Sequence, residues 1–136
     1  MSNRLRIIAG SLGGRLIEVP EEGTRPFADR VRQALFAVLE PRLPGAHVLD
    51  LCAGSGAAGI EALSRGAASV LFIDLSRRAA EVIRRNLAGL DLVAHAEVRV
   101  ADAGSSAASL SASGRVFDLV IADPPYDDLV VRRNIL

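Results

Sequence analysis

The stretch Val48-Leu49-Asp50-Leu51-Cys52-Ala53-Gly54-Ser55-Gly56-Ala57-Ala58-Gly59 constrains the fold of this chain more than any other. It opens as a short apolar strand with an acid near its end. It then passes through a glycine-rich turn into small residues that suit the start of a helix. Glycine gives such a turn backbone conformations that side chains resist, and it lets the main chain approach a ligand closely. Gly54, Gly56 and Gly59 match the spacing G-x-G-x-x-G, and Asp74 follows at the distance of a ribose-binding acid. That spacing does not by itself choose the ligand. Asp50 narrows the choice, because the residue four before the first glycine is ordinarily apolar. A buried carboxylate there needs a partner, and a ligand with an ammonium group would supply one. The other reading of Asp50 is a cap on the turn that follows.

The rest of the chain repeats the same alternation. Residues 47–51 and 69–74 read as strands, with a helix over 59–65 closed by Gly66. Ser76 caps a helix running toward Leu87, with Ala79, Ile83 and Leu87 on its inner face. Residues 97–101 form a third strand, and 104–114, small and polar, read as a poor helix or a loop. Residues 117–122 are nearly all apolar, as a buried parallel strand should be. Strands alternating with helices imply a Rossmann-like, doubly wound, mostly parallel α/β sheet.

Ahead of it, residues 6–10 and 15–19 form a hairpin around the turn 10–14. Residues 29–40 form a helix with Val31, Leu35, Val38 and Leu39 on one face. The chain thus divides into an N-terminal extension, 1–45, and a sheet domain, 46–136. Residues 129–136 read as the start of another helix. The strand at 117–122 is then expected to have an open apolar edge, with the last strands of the sheet missing from the chain.

Composition excludes several classes. Half of the residues are apolar and 24% are charged, so the chain is globular rather than disordered. No run approaches the roughly 18 apolar residues of a membrane helix. Cys52 is the only cysteine, which rules out an internal disulfide and fits a reducing cytoplasm. His47 and His95 have no metal-ligand spacing, and no metal is expected. The net charge is zero, which argues against coating nucleic acid through bulk electrostatics. All sixteen basic residues are arginine, and Arg4, Arg6, Arg15, Arg25, Arg30 and Arg32 crowd the first quarter. The planar guanidinium suits phosphate. Arginine-favouring codons would give the same pattern.

Candidate chemistry gathers at the strand ends. Asp74 can accept from both hydroxyls of a ribose. Asp102 can accept from an adenine amino group or cap the segment after it. Ala53, Gly54, Ser55 and Gly56 in the turn, and Leu75 and Ala103 beside the two acids, complete the expected cofactor lining. Asp123-Pro124-Pro125-Tyr126 follows the last apolar strand. An exocyclic amine is a poor nucleophile, because its lone pair is delocalised into the ring. The Asp123 carboxylate and the Pro124 carbonyl can accept its two N–H bonds and turn the lone pair toward an electrophile. Pro125 stiffens the loop, and Tyr126 offers a ring for the base to stack on. Together the motifs point to methyl transfer from S-adenosylmethionine to a planar nitrogen.

On these residues the sequence resembles the bacterial 16S ribosomal RNA guanine-N2 methyltransferases, small-subunit methyltransferase D. The resemblance is carried by Arg6-Ile7-Ile8-Ala9-Gly10, Gly14-Arg15, Val19-Pro20, Thr24-Arg25-Pro26, Asp29-Arg30-Val31-Arg32 and Ala34-Leu35-Phe36. It continues through the glycine turn, Glu61-Ala62-Leu63-Ser64-Arg65-Gly66-Ala67 and Asp123-Pro124-Pro125-Tyr126. It implies methylation of a guanine N2 amine in 16S rRNA on an assembling small subunit. It also implies Arg25 at the cofactor and Arg15, Arg30 and Arg32 at RNA. The family's sheet has seven strands, more than this chain supplies. Competing readings are an amino-methyltransferase acting on adenine N6, cytosine N4 or protein glutamine, and a non-catalytic cofactor- or RNA-binding remnant. A nicotinamide oxidoreductase is disfavoured by Asp50 and by the absence of any lysine for a Tyr/Lys pair.

Overall fold

The computed structural model describes residues 3–19, 26–51, 53–122 and 130–132. A hairpin of β1 (Asn3–Arg6) and β2 (Leu16–Val19) comes first, followed by α1 (Pro26–Leu39) and a short 3-10 turn at Glu40–Arg42. The sheet then forms from β3 (His47–Leu51), α2 (Ala57–Ser64), β4 (Ser69–Asp74), α3 (Arg77–Gly89), β5 (Ala96–Val100), α4 (Ala103–Ala112), β6 (Leu119–Ala122) and β7 (Val130–Arg132). The strand order is β5-β4-β3-β6-β7. The first four strands in that order are parallel, and β7 is antiparallel to β6.

The central strand is buried on both faces, which explains its nearly continuous apolar sequence. Side chains alternate across a strand. Val48 therefore joins Phe36, Ile60, Phe72 and Ile83 on one face. Leu49 and Leu51 join Leu71, Ile73, Leu110 and Val120 on the other, under α4. Asp50 falls on the Val48 face, toward α2.

The hairpin is bound to this core mainly through polar groups. The Glu61 side chain is fully buried and accepts from Ile8 N at 2.9 Å, Ala9 N at 3.0 Å and Arg65 Nε at 2.8 Å. Ser64 Oγ donates to the Ala9 carbonyl at 2.6 Å and accepts from Leu12 N at 3.0 Å. Gly10 makes this approach possible. It has φ +85°, and a Cβ there would lie 2.0 Å from the Ser64 carbonyl oxygen. Further along, Asn86 Oδ1 accepts from Glu18 N at 2.8 Å and its amide donates to the Glu18 carbonyl at 2.9 Å. A buried amide thus completes the edge of β2 as a neighbouring strand would.

Several expectations need correction. Strand β1 spans Asn3–Arg6, so the strand expected over 6–10 shares only Arg6 with it; beyond Arg6 the N–H groups of Ile8 and Ala9 are committed to Glu61. Helix α1 starts at Pro26 and buries Arg32, Phe36 and Leu39, whereas Val31 and Val38 are exposed. The buried stripe contains an arginine, whose Nη2 donates to the Arg6 carbonyl at 2.9 Å. The segment after Asp102 is a full helix, secured by buried Leu110. Finally, residues 130–132 form a strand instead of helix. Val120 pairs with Arg132, Ile121 with Val131 and Ala122 with Val130, so the edge of β6 expected to be open is covered. Two consecutive β-branched valines favour that outcome.

Replacing Glu61 by alanine should lower stability by about 3–5 kcal/mol, because it strands buried N–H groups and one contact of Arg65. Glu40→Ala removes the other partner of Arg65, a half-exposed carboxylate 2.5 Å away, and should cost no more than about 1 kcal/mol. Urea unfolding of both variants measures the contrast; equal losses would overturn this account of the docking.

Candidate functional site

The turn after β3 is built by its glycines and by acids from neighbouring strands. Ala53 N donates to the Ile73 carbonyl at 2.9 Å, carrying the pairing beyond the end of β3. Gly54 then turns with φ +59°, and Gly56, the residue before α2, has φ +84°. A Cβ on Gly54 would meet nothing within 4 Å among the described residues, so none of them fills the space above the turn. Gly59 has a different role. A Cβ there would lie 2.3 Å from Phe72 Cε1 and 2.9 Å from Val70 Cγ1. Its hydrogen lets α2 lie directly on β4, the part played by the third glycine of such a fingerprint.

The acids hold these pieces in register. Asp50 is 2% exposed, and its Oδ2 accepts from Gly59 N at 3.1 Å. A negative charge at that point opposes the positive end of the helix dipole. Asp74 Oδ2 accepts from Gly54 N at 2.8 Å, and its Oδ1 accepts from Ser76 N at 2.9 Å. One carboxylate therefore ties the first turn to the second. Ser76 Oγ in turn accepts from Ala79 N at 3.1 Å and caps α3. A carboxylate has about four lone-pair positions, so Asp74 keeps acceptor capacity toward the open space. Leu75 beside it is 72% exposed, an apolar surface of the kind a flat ring covers. Asp102 caps α4, accepting from Ser105 N at 2.9 Å and Ser105 Oγ at 3.0 Å. The backbone N–H of Ser105 above all, and its hydroxyl next, hold the Asp102 carboxyl below its usual range.

Ala53, Gly54, Ser55, Gly56, Asp74, Leu75, Asp102 and Ala103 thus share the carboxyl edge of β3, β4 and β5, with Asp50 behind the turn. The arginines are scattered. Arg15 reaches the Gly89 carbonyl at 3.3 Å, at the far end of α3. Arg30 is exposed on α1. Arg32 is only 8% exposed, against the hairpin backbone and away from solvent phosphate. Arg25, Cys52 and Asp123-Pro124-Pro125-Tyr126 lie outside the described residues. The residue before that last motif, Ala122, is paired with Leu51, the last residue of β3.

Asn86 escaped the sequence reading. Besides holding Glu18, its amide donates to the Ser55 carbonyl at 3.2 Å and so fixes the glycine turn from below. Its signal was a polar residue at the inner-face spacing of α3, next to Ile83 and Leu87.

Residues 5–135 match the family model described as Conserved hypothetical protein 95. The chain is 40% identical over 126 residues to the ribosomal RNA small subunit methyltransferase D of Escherichia coli K12, covering 92% of this chain and 62% of that protein. The chain therefore spans less than two thirds of that relative's length. A hypothetical protein of Thermus thermophilus superposes with TM-score 0.79 at 32% identity, over 90% of this chain and 70% of that one. A SAM-dependent methyltransferase of Agrobacterium tumefaciens shares the fold, with TM-score 0.73 at 20% identity over 90% of this chain and 39% of that one.

Two outcomes follow from this geometry. Gly59→Ala should destabilise the protein by about 1–3 kcal/mol through overpacking against Phe72, read as a lowered melting temperature; an unchanged one would contradict the close approach. Asp102 should titrate below the ordinary aspartate value. Its cap is then fully present above that value and is lost as pH falls through the lowered folded one. A carboxyl NMR titration locates the midpoint, and a midpoint at or above the ordinary value would show that the Ser105 bonds do not form.

Proposed function

The chain belongs to the Conserved hypothetical protein 95 family, that of the small-subunit ribosomal RNA methyltransferase D proteins, and we propose that it methylates the exocyclic N2 amine of a guanine in 16S rRNA with S-adenosylmethionine. The observation that carries the reading is the pairing of Leu51 with Ala122. The glycine turn follows Leu51 in sequence and Asp123-Pro124-Pro125-Tyr126 follows Ala122, so a cofactor on the first and a base on the second would meet.

Bound S-adenosylmethionine supplies an electrophilic sulfonium methyl. The open face above Gly54 would receive its methionyl end, with buried Asp50 behind the turn as the negative charge for the ammonium, directly or through water. Asp74 would accept from the ribose hydroxyls while keeping its bonds to Gly54 and Ser76. Leu75 would pack on the adenine ring, and Asp102 or the backbone near Ala103 would meet the adenine edge. Arg25 would contact the cofactor carboxylate.

The Asp123 carboxylate and the Pro124 carbonyl would accept the two N–H bonds of the guanine amine and aim its lone pair at the methyl. As the methyl leaves sulfur for the nitrogen, the C–S bond breaks to leave a thioether and the nitrogen must lose a proton, which the hydrogen-bonded Asp123 carboxylate would accept. Pro125 restricts the loop, and Tyr126 stacks on the base. Arg15 and Arg30 are assigned to RNA. The relatives' names support a small-subunit rRNA substrate, and we take an assembling particle as its setting.

Calorimetry should detect S-adenosylmethionine or S-adenosylhomocysteine binding and none of NAD; preferential NAD binding would sink the reading. Asp74→Ala should weaken cofactor binding by about 1–3 kcal/mol through lost hydrogen bonds. Asp123→Ala should cut methyl transfer to unmethylated small subunits by roughly 100-fold or more, with cofactor affinity nearly intact. Near-normal turnover of that variant would show that the amine is held by something else. Mass spectrometry of the nucleosides from the treated rRNA would separate N2-methylguanine from the adenine and cytosine products.

A further inference from the structure

The hairpin and α3 enclose a shallow groove of about 240 Å³ on the flank of the molecule, away from the strand ends. Its lining includes Arg4, Arg15, Leu16, Glu18, Arg85 and Asn86. The three arginines come from different places: Arg4 from β1, Arg15 from the residue before β2, and Arg85 from α3. Among the described lining residues, Glu18 is the one acid. Glu18 stands opposite Arg4 in the hairpin register and meets Arg85 Nε at 3.1 Å. The Arg85 and Glu18 side chains remain 60% and 39% exposed, so solvent screens this pair and it does not consume the site's charge. In a chain of zero net charge, the described lining of this groove carries three guanidiniums and one carboxylate, an excess of positive charge.

The floor is rigid. Asn86 is 6% exposed and is bonded to both the N–H and the carbonyl of Glu18, and Arg15 is bonded to the end of α3. Positive charge on a fixed backbone suits a polyanion better than a single mobile ion, and the planar fork suits phosphate oxygens. The groove borders the last turns of α3, whose first turn follows Asp74 and Ser76 at the candidate cofactor edge. From Arg77 to Gly89 the helix is about 18 Å long. A chain of phosphates whose target base lay at the strand ends would reach the groove within a few nucleotides.

We propose that this groove is a track for the RNA backbone, in which Arg4, Arg15 and Arg85 grip phosphates flanking the target nucleotide. The proposal rests on the RNA-methyltransferase reading above; it gives Arg4 of the N-terminal arginine cluster a definite place and adds Arg85, which the sequence alone did not single out. Phosphate contacts of this kind fix position and register and carry no sequence information.

The test is fluorescence anisotropy with a transcribed fragment of small-subunit rRNA over a range of salt concentrations. The variant Arg4→Gln/Arg15→Gln/Arg85→Gln should bind about 10- to 100-fold more weakly at ~0.1 M salt, with a slope of log K against log salt shallower by about 2. A variant of equal charge loss elsewhere, Arg42→Gln/Arg99→Gln/Arg115→Gln, should keep the wild-type slope. Both should bind S-adenosylmethionine as wild type does, which also checks that they fold. If the groove variant keeps the wild-type slope and affinity, the groove proposal falls while the functional reading stands. If the wild-type protein binds cofactor but no RNA, both fall. If inorganic phosphate displaces the RNA far better than chloride at matched ionic strength, the groove is a single-anion site and the track is wrong.

Discussion

The fully buried Glu61 carboxylate joins parts of the chain that are otherwise distant. Its two oxygens accept from Ile8, Ala9 and Arg65, and the two hairpin contacts span 53 and 52 residues. A charge removed from water is tolerated only when it is paired and hydrogen-bonded. Here the requirement runs in both directions. The turn after β1 needs acceptors for its N–H groups, and the carboxylate needs donors. The motifs around Ile8 and around Glu61 are therefore two sides of one contact. Without it, the hairpin would lose its one buried charged anchor and keep the bonds of Ser64, Asn86, Arg32 and Arg15 among the described residues.

The candidate site depends on the same kind of economy. Asp50, Asp74 and Asp102 all lie at strand ends, and each accepts a backbone N–H from the start of a helix or turn. They shape the pocket before any ligand arrives, so a ligand would meet oriented acceptors at little further ordering cost. Asn86 extends this support beneath the glycine turn through Ser55. The reacting geometry is thus set by side chains that bond to backbone, from elements that are themselves buried.

Strands β3 and β4 were legible to the residue, because a strand buried on both faces has a nearly pure apolar sequence with sharp ends. The three acids were legible as strand-end residues for the same reason, though their capping bonds were not. What failed was tertiary choice among local alternatives. Helix α1 has apolar residues on more than one face, and packing selected Phe36 and Leu39 along with Arg32, a residue that pattern reading assigns to water. Strand β1 stops where Glu61 takes over its N–H groups, a competition invisible within the hairpin's own sequence. The small residues of α4 carry little periodicity, so its helix depended on a cap and a single buried leucine. The pairing of Val130–Arg132 with β6 depends on a sheet edge that no local window contains.

The docking of the hairpin also sets an order of events during synthesis. Strands β1 and β2 leave the ribosome well before their partners, because Glu61 and Asn86 lie 52 to 68 residues downstream. The β3–α2–β4 unit closes through short connections, whereas the hairpin must close a long loop, with an entropic cost that local contacts cannot offset. A segment made early is consequently among the last to be fixed. Until Asn86 has emerged, the unbonded edge of β2, the floor of the arginine groove and the underside of the glycine turn all wait on the same amide.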